Sequence, residues 1–117
     1  MTSFSRADRV SGLIQSTLSE IIARDTGDPR LEMVTISGVK MTRDLRIARV
    51  YFSTSGGERQ TASAAQALKQ AKGYLKRALA RKISLRYMPD LQFYHDESFD
   101  YGLHIENLLK SIDKDQR

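Results

Sequence analysis

Lys69, Lys72, Lys76, Arg77, Arg81 and Lys82 crowd into one short run, and Arg86 follows close behind. Ammonium and guanidinium groups are the natural partners of phosphate oxygens, which they meet through charge-assisted hydrogen bonds. Residues 60–89 carry seven basic side chains and no acidic ones. Residues 1–59 carry nine basic and seven acidic groups, and residues 90–117 three and seven, so the segments hold +2, +7 and −4 and sum to the net +5. Charge segregated in this way points to a polyanion rather than to general solubilising charge. A solvated helix face would have the same composition, so charge alone leaves both readings open.

Two other chemistries are conceivable. His95 and His104 stand near Asp96, Glu97, Asp100 and Glu106, and imidazole with carboxylate can serve as a general base or hold a cation. No HExxH, GxSxG, P-loop, glycine-rich dinucleotide turn or diagnostic carboxylate pair accompanies them. These residues therefore argue against an enzyme, and no catalytic residue, metal site, cofactor or small-molecule substrate is expected. The acidic C-terminal stretch reads as solvated surface. Tyr51, Tyr74, Tyr87 and Tyr94 can stack on unpaired bases, although each equally suits the amphipathic edge of a core, and no RRM-type aromatic pair is evident.

The elements that must position these residues follow from periodicity. Ser5 with Asp8 predicts a capped helix over about residues 6–25, carrying Val10, Leu13, Ile14, Leu18, Ile21 and Ile22 at helical spacing. Gly27 and Pro29 end it. In "MVTISGVKM" the apolar phase flips at Gly38, which predicts a bulge, and "RIARVYFST" puts Ala48, Val50 and Phe52 on one face. With the polar turn "TRDL" between them, the two runs form an antiparallel hairpin. After the "SGGERQTAS" loop, Thr61 or Ser63 is the expected cap of a second helix. Leu68, Ala71, Leu75, Ala78 and Leu79 form its apolar stripe, with Lys69, Lys72 and Lys76 on the flank.

Gly73 interrupts that helix at about 1 kcal/mol relative to alanine, which suggests a kink or a close backbone approach. Pro89 ends the helical pattern, "LQFYH" reads as a third strand, and Ser98 opens a terminal helix with Ile105, Leu108, Leu109 and Ile112. With 117 residues, one domain over 1–117 is expected, frayed at 113–117. The absence of cysteine excludes disulfides and thiolate sites. No apolar run reaches the roughly 20 residues of a membrane span, so a cytoplasmic protein without membrane contact is expected.

The stretches "RADRV" (6–10), "DPRL" (28–31), "VTISGVKMTRDLRIARVYF" (34–52), "AKGYLKRALARKISLRYMPDLQFYHDES" (71–98) and "GLHIENLL" (102–109) together resemble the bacterial ribosome-binding factor A family. Their order and spacing carry the resemblance across almost the whole chain. It implies an α+β fold of type II KH-like design, α-β-β-α-(kink)-α-β, with a small three-stranded sheet and helices on one face. An Ala-x-Gly motif, here Ala71 and Gly73, replaces the usual GXXG and makes the kink.

The resemblance further implies a non-enzymatic factor, and nothing in the sequence points to more than a monomer. Such a factor binds the small (30S) ribosomal subunit and its rRNA late in assembly, assists rRNA 5′-end maturation and supports growth in the cold. Lys69, Lys72, Lys76, Arg77, Arg81 and Lys82 are the expected phosphate partners, and Arg6, Arg9, Arg43 and Arg46 are weaker candidates. Many family members continue into a longer charged tail, whereas this chain ends at Arg117. The alternatives are a generic KH-like module for single-stranded RNA and a domain whose basic face meets an acidic protein.

Overall fold

The computed structural model describes residues 5–96. Helix α1 spans Arg6–Arg24. Its start is a reciprocal capping box: Ser5 Oγ accepts from the Asp8 amide, and the Asp8 carboxylate accepts from the Ser5 amide, both at 3.1 Å. Val10, Ile14, Leu18, Ile21 and Ile22 form its buried stripe. Beyond it Gly27 adopts φ +62, a left-handed conformation that only glycine takes without strain. Asp28 then caps a 3₁₀ turn at Pro29–Leu31, accepting from the Arg30 amide at 2.9 Å and the Arg30 guanidinium at 2.8 Å.

Strands β1 (Val34–Met41) and β2 (Ile47–Thr54) form the antiparallel hairpin. The register slips between Ile36, opposite Phe52, and Gly38, opposite Tyr51, so the expected bulge is present with Ser37 as the extra residue. The hairpin turn is locked by its own side chains. Thr42 Oγ1 accepts from the Ile47 amide at 3.1 Å and donates to Asp44 Oδ1 at 2.6 Å, and that oxygen also accepts from the Arg46 amide. This network holds Leu45 at φ 61, an unfavourable value for a side chain branched beyond Cβ.

Helix α2 (Glu58–Lys82) crosses from the end of β2 to the start of β3 (Asp90–His95), which lies parallel to β2. The sheet order is β1-β2-β3. Ala48, Val50, Phe52 and Leu91 point from the sheet into the core and meet Leu68, Leu75 and Leu79 of α2 and the buried stripe of α1. Both helices cover this one face, while Lys40, Arg49 and Tyr94 are exposed on the other. The mixed α+β class, the element order and the three-stranded sheet agree with expectation.

Two expectations about α2 are corrected. The helix starts at Glu58 with Gly57 as N-cap and no side-chain cap; the Thr61 hydroxyl instead pairs with that of Thr54 at 3.0 Å, tying the first turn to β2. It also forms one continuous helix through Ala71 and Gly73, where two helix segments were expected. The reason is continuity of burial. Leu68 before Gly73 and Leu75 and Leu79 after it are fully buried against one sheet. Burying each leucine stabilises the helix by about 1.5–3 kcal/mol, which outweighs the roughly 1 kcal/mol penalty of one glycine. The terminal helix expected from Ser98 lies outside the described residues.

The capping carboxylates make stability depend on pH. The Arg30 guanidinium, and then the Arg30 amide, hold the Asp28 carboxyl below its ordinary value of 3.8; the Thr42 hydroxyl, followed by the Arg46 amide, does the same for Asp44. A carboxyl depressed on folding stabilises the protein above its unfolded value, and that contribution is lost as pH falls through the folded value. In urea titrations, Asp28→Asn should therefore be less stable than the parent at neutral pH. The difference should shrink as pH drops below about 3.8; an unchanged difference would remove the Arg30 pairing as its source.

Candidate nucleic-acid interface

The basic residues of α2 do not form one uniform face. Lys69 and Arg77 project from the outer ridge of the helix on either side of Gly73, and all three are exposed. Arg81 and Lys82 are exposed in the last turn, where cations complement the helix C-terminus. Lys72 and Lys76 are half-buried on the flank toward β3. Their ammonium groups reach the same Asp90 oxygen at 3.5 and 3.6 Å. The opposite flank is tied to α1 and the 3₁₀ turn: the Tyr74 hydroxyl donates to the Asp25 carbonyl at 3.1 Å, and Arg30 donates to Gln70 at 3.1 Å. Both sides of α2 are thus anchored, and the ridge between them faces outward.

Gly73 lies on that ridge. Among the described residues, a Cβ built there would meet only the Arg77 Nη1, at 3.3 Å, the mobile end of a long side chain. The glycine is therefore not required by packing. What it supplies is bare backbone on an outward surface flanked by cations, a place where a phosphodiester backbone can come close. Ala71 is half-buried at the edge of the core.

The weaker candidates separate. Arg6, in the first turn of α1, and Arg46, in the hairpin turn, line one groove together with Arg86. Arg9 and Arg43 are exposed and do not line that groove. Sequence reasoning missed three features that only the packing creates. Asp90 pairs with two of the lysines. Arg86 sits with its guanidinium 5.6 Å from the centre of the Tyr87 ring, close enough for a cation–π contact. Tyr51 and Tyr94 meet at 5.7 Å because parallel pairing puts them side by side. The strand assignments held both tyrosines, but strand order cannot be read from periodicity.

The histidine reading gains no support from the geometry. His95 packs its ring 5.7 Å from that of Phe52, and Asp96 accepts a 2.7 Å hydrogen bond from Ser37. Among the described residues, no group of three or more His, Cys, Asp or Glu residues is placed to hold a metal ion. His104, Glu97, Asp100 and Glu106 lie outside the described residues. No helix among the described residues is long and apolar enough to cross a membrane.

Two variants check this anatomy. Gly73→Ala should raise stability by about 1 kcal/mol in urea unfolding, since helix propensity improves and only Arg77 must move aside; destabilisation would show that packing does require the glycine. Asp90→Asn should lower stability by no more than about 1 kcal/mol, because the ion pairs it loses are partly exposed. It should also leave a heparin column at higher salt than the parent, with Lys72 and Lys76 released to bind an anion. Elution at unchanged salt would place those lysines outside the anion-binding surface.

The model of the family described as ribosome-binding factor A matches residues 6–109. A ribosome-binding factor A from Desulfatibacillum aliphaticivorans is 54% identical over 112 residues, covering 96% of this chain and 91% of that protein. The crystal structure of ribosome-binding factor A from Thermus thermophilus superposes with a TM-score of 0.69 at 28% identity, covering 78% of this chain and 97% of that one. A homology model of the Thermus thermophilus protein, fitted into a cryo-EM map of its 30S complex, superposes with a TM-score of 0.63 at 30% identity, covering 74% and 91%. An outward cationic ridge broken by glycine, on a three-stranded sheet backed by two helices, thus coincides with a match over nearly the full length, and the chain belongs to the ribosome-binding factor A family.

Proposed function

We propose that this chain is a non-enzymatic assembly factor that binds the small ribosomal subunit and its rRNA during late maturation, including maturation of the rRNA 5′ end. The observation that carries this reading is the outward ridge of α2, where Lys69 and Arg77 flank the exposed backbone at Gly73 and Arg81 and Lys82 extend the positive charge into the last turn. It is supported by family membership and by the 30S complex described for the Thermus thermophilus neighbour. The protein acts as a monomer in the cytoplasm and contributes to growth in the cold.

In this mechanism the Lys and Arg side chains release counterions from the rRNA phosphates, and that release supplies most of the affinity. The shape of the folded rRNA, rather than its base sequence, chooses the site, because rigid surfaces on both sides of the ridge admit only a backbone that fits between them. Gly73 lets one phosphodiester approach the helix more closely than any side chain would permit. No bond is made or broken by the protein. Its effect on rRNA maturation comes from stabilising one conformation of the particle by differential binding.

Co-sedimentation with separated ribosomal particles tests the reading. Retention on the small subunit alone is expected, with affinity falling as salt rises at a log–log slope of roughly −3 to −4 for about five phosphate contacts on RNA of single-stranded character. Gly73→Leu should fold normally and lose at least tenfold in subunit affinity, an order-of-magnitude expectation for blocking one close contact. Retention that is indifferent to salt would overturn the phosphate mechanism. Parental affinity in the leucine variant would remove Gly73 from it.

A further inference from the structure

A groove of about 570 Å³ opens where the first turn of α1, the β1–β2 turn and the segment joining α2 to β3 converge. It lies apart from the α2 ridge, and its volume falls within the roughly 300–1,000 Å³ typical of sites that hold small molecules. Its two halves differ in chemistry. Val10, Met41, Leu85 and Met88 form an apolar floor continuous with the main core. Among the described residues, the rim carries the guanidinium groups of Arg6, Arg46 and Arg86 against the one carboxylate of Asp44, a balance of +3 and −1 that leaves +2.

Three details suggest a built site rather than a surface dent. Tyr87 is 75% exposed at the groove although Pro89, two residues on, is fully buried, so its ring is held out from an anchored segment. Arg86 lies over that ring, 5.6 Å from its centre, so a cation is held beside one face of the aromatic surface. Opposite, Leu45 contributes to the wall in a left-handed conformation that the Thr42–Asp44 network enforces. Strain of this kind is retained where the surrounding structure over-determines it.

We propose that this groove binds one unstacked nucleotide of a single-stranded RNA segment, with the base against Tyr87 and the apolar floor and the phosphate among Arg6, Arg46 and Arg86. A phosphate alone would have no use for the floor, and an apolar peptide none for three guanidinium groups. A nucleotide uses both. Base stacking on an aromatic ring needs no base-specific hydrogen bond, so the site accepts nucleotides with little sequence preference. The inference rests on the RNA-binding reading of the family fold and adds a second contact point that α2 does not provide.

The test uses the full chain with a short single-stranded RNA of mixed sequence, irradiated with ultraviolet light, digested and examined by mass spectrometry. A nucleotide adduct on Tyr87 is expected. By fluorescence anisotropy Tyr87→Leu should bind the same RNA roughly tenfold more weakly, and Tyr87→Phe should restore binding. Arg86→Gln should weaken binding and flatten its salt dependence by about one phosphate contact. Adducts confined to α2, together with parental affinity of Tyr87→Leu, would overturn the proposal; so would a polyglutamate peptide that binds more tightly than the RNA and protects Tyr87, since that outcome assigns the groove to an acidic protein partner. Retention on the small subunit with no Tyr87 adduct would reject the groove alone. A Tyr87 adduct without particle retention would reject the subunit reading alone.

Discussion

Parallel pairing of β2 with β3 is the constraint on which the rest of the molecule depends. Parallel neighbours cannot be joined by a tight turn, so the chain must travel the length of the sheet before β3 can begin. Helix α2 is that connection. Because it returns across the same sheet, one stripe of the helix must be apolar throughout, and Leu68, Leu75 and Leu79 are fully buried there. Charge is then confined to the remaining surface. A crossover helix with a neutral exterior would fold equally well, so the basic exterior of this one answers to something other than folding.

The same connection explains why the cations are not equivalent. A helix seated on a sheet has two flanks and one outer ridge, and here each flank meets a neighbour. On one side Asp90, the first residue of β3, stands where the crossover ends and pairs with both Lys72 and Lys76. On the other, Tyr74 and Gln70 fasten the helix to the end of α1 and to the 3₁₀ turn. Lys69, Gly73 and Arg77 face outward between those tethers. Flanks held on both sides fix the direction of the ridge. The segment from Leu85 to Pro89 is likewise held by its need to deliver the chain to β3, and it carries Arg86 and Tyr87 to the groove beside the hairpin turn.

Local order was well expressed in the residues themselves. The Ser5–Asp8 capping box, the bulge beside Gly38, the inward set Ala48, Val50 and Phe52, and the strand over "LQFYH" all appear where periodicity and turn chemistry put them, while α1 is capped by Asp25 rather than by Gly27. Each depends on neighbours a few positions away, and such contacts are encoded in short stretches of chain. The unbroken helix at Gly73 and the early start of α2 were not legible, because a glycine is tolerated or not according to burial contributed by other elements. The family resemblance led toward two helix segments, and the packing of Leu68 and Leu75 on one sheet joins them into one.

The amino-acid sequence by itself determined the periodicities, the caps, the segregation of positive charge into residues 60–89 and the presence of glycine within that block. These are properties of composition and of separations within a turn or two of chain. Tertiary structure decided which cations on α2 pair with Asp90, that Tyr51 lies against Tyr94, and that Arg6, Arg46 and Arg86 share a groove. Those residues are far apart in the chain and meet only through strand order and helix placement. The burial energy of the whole core sets that arrangement, and no local pattern records it.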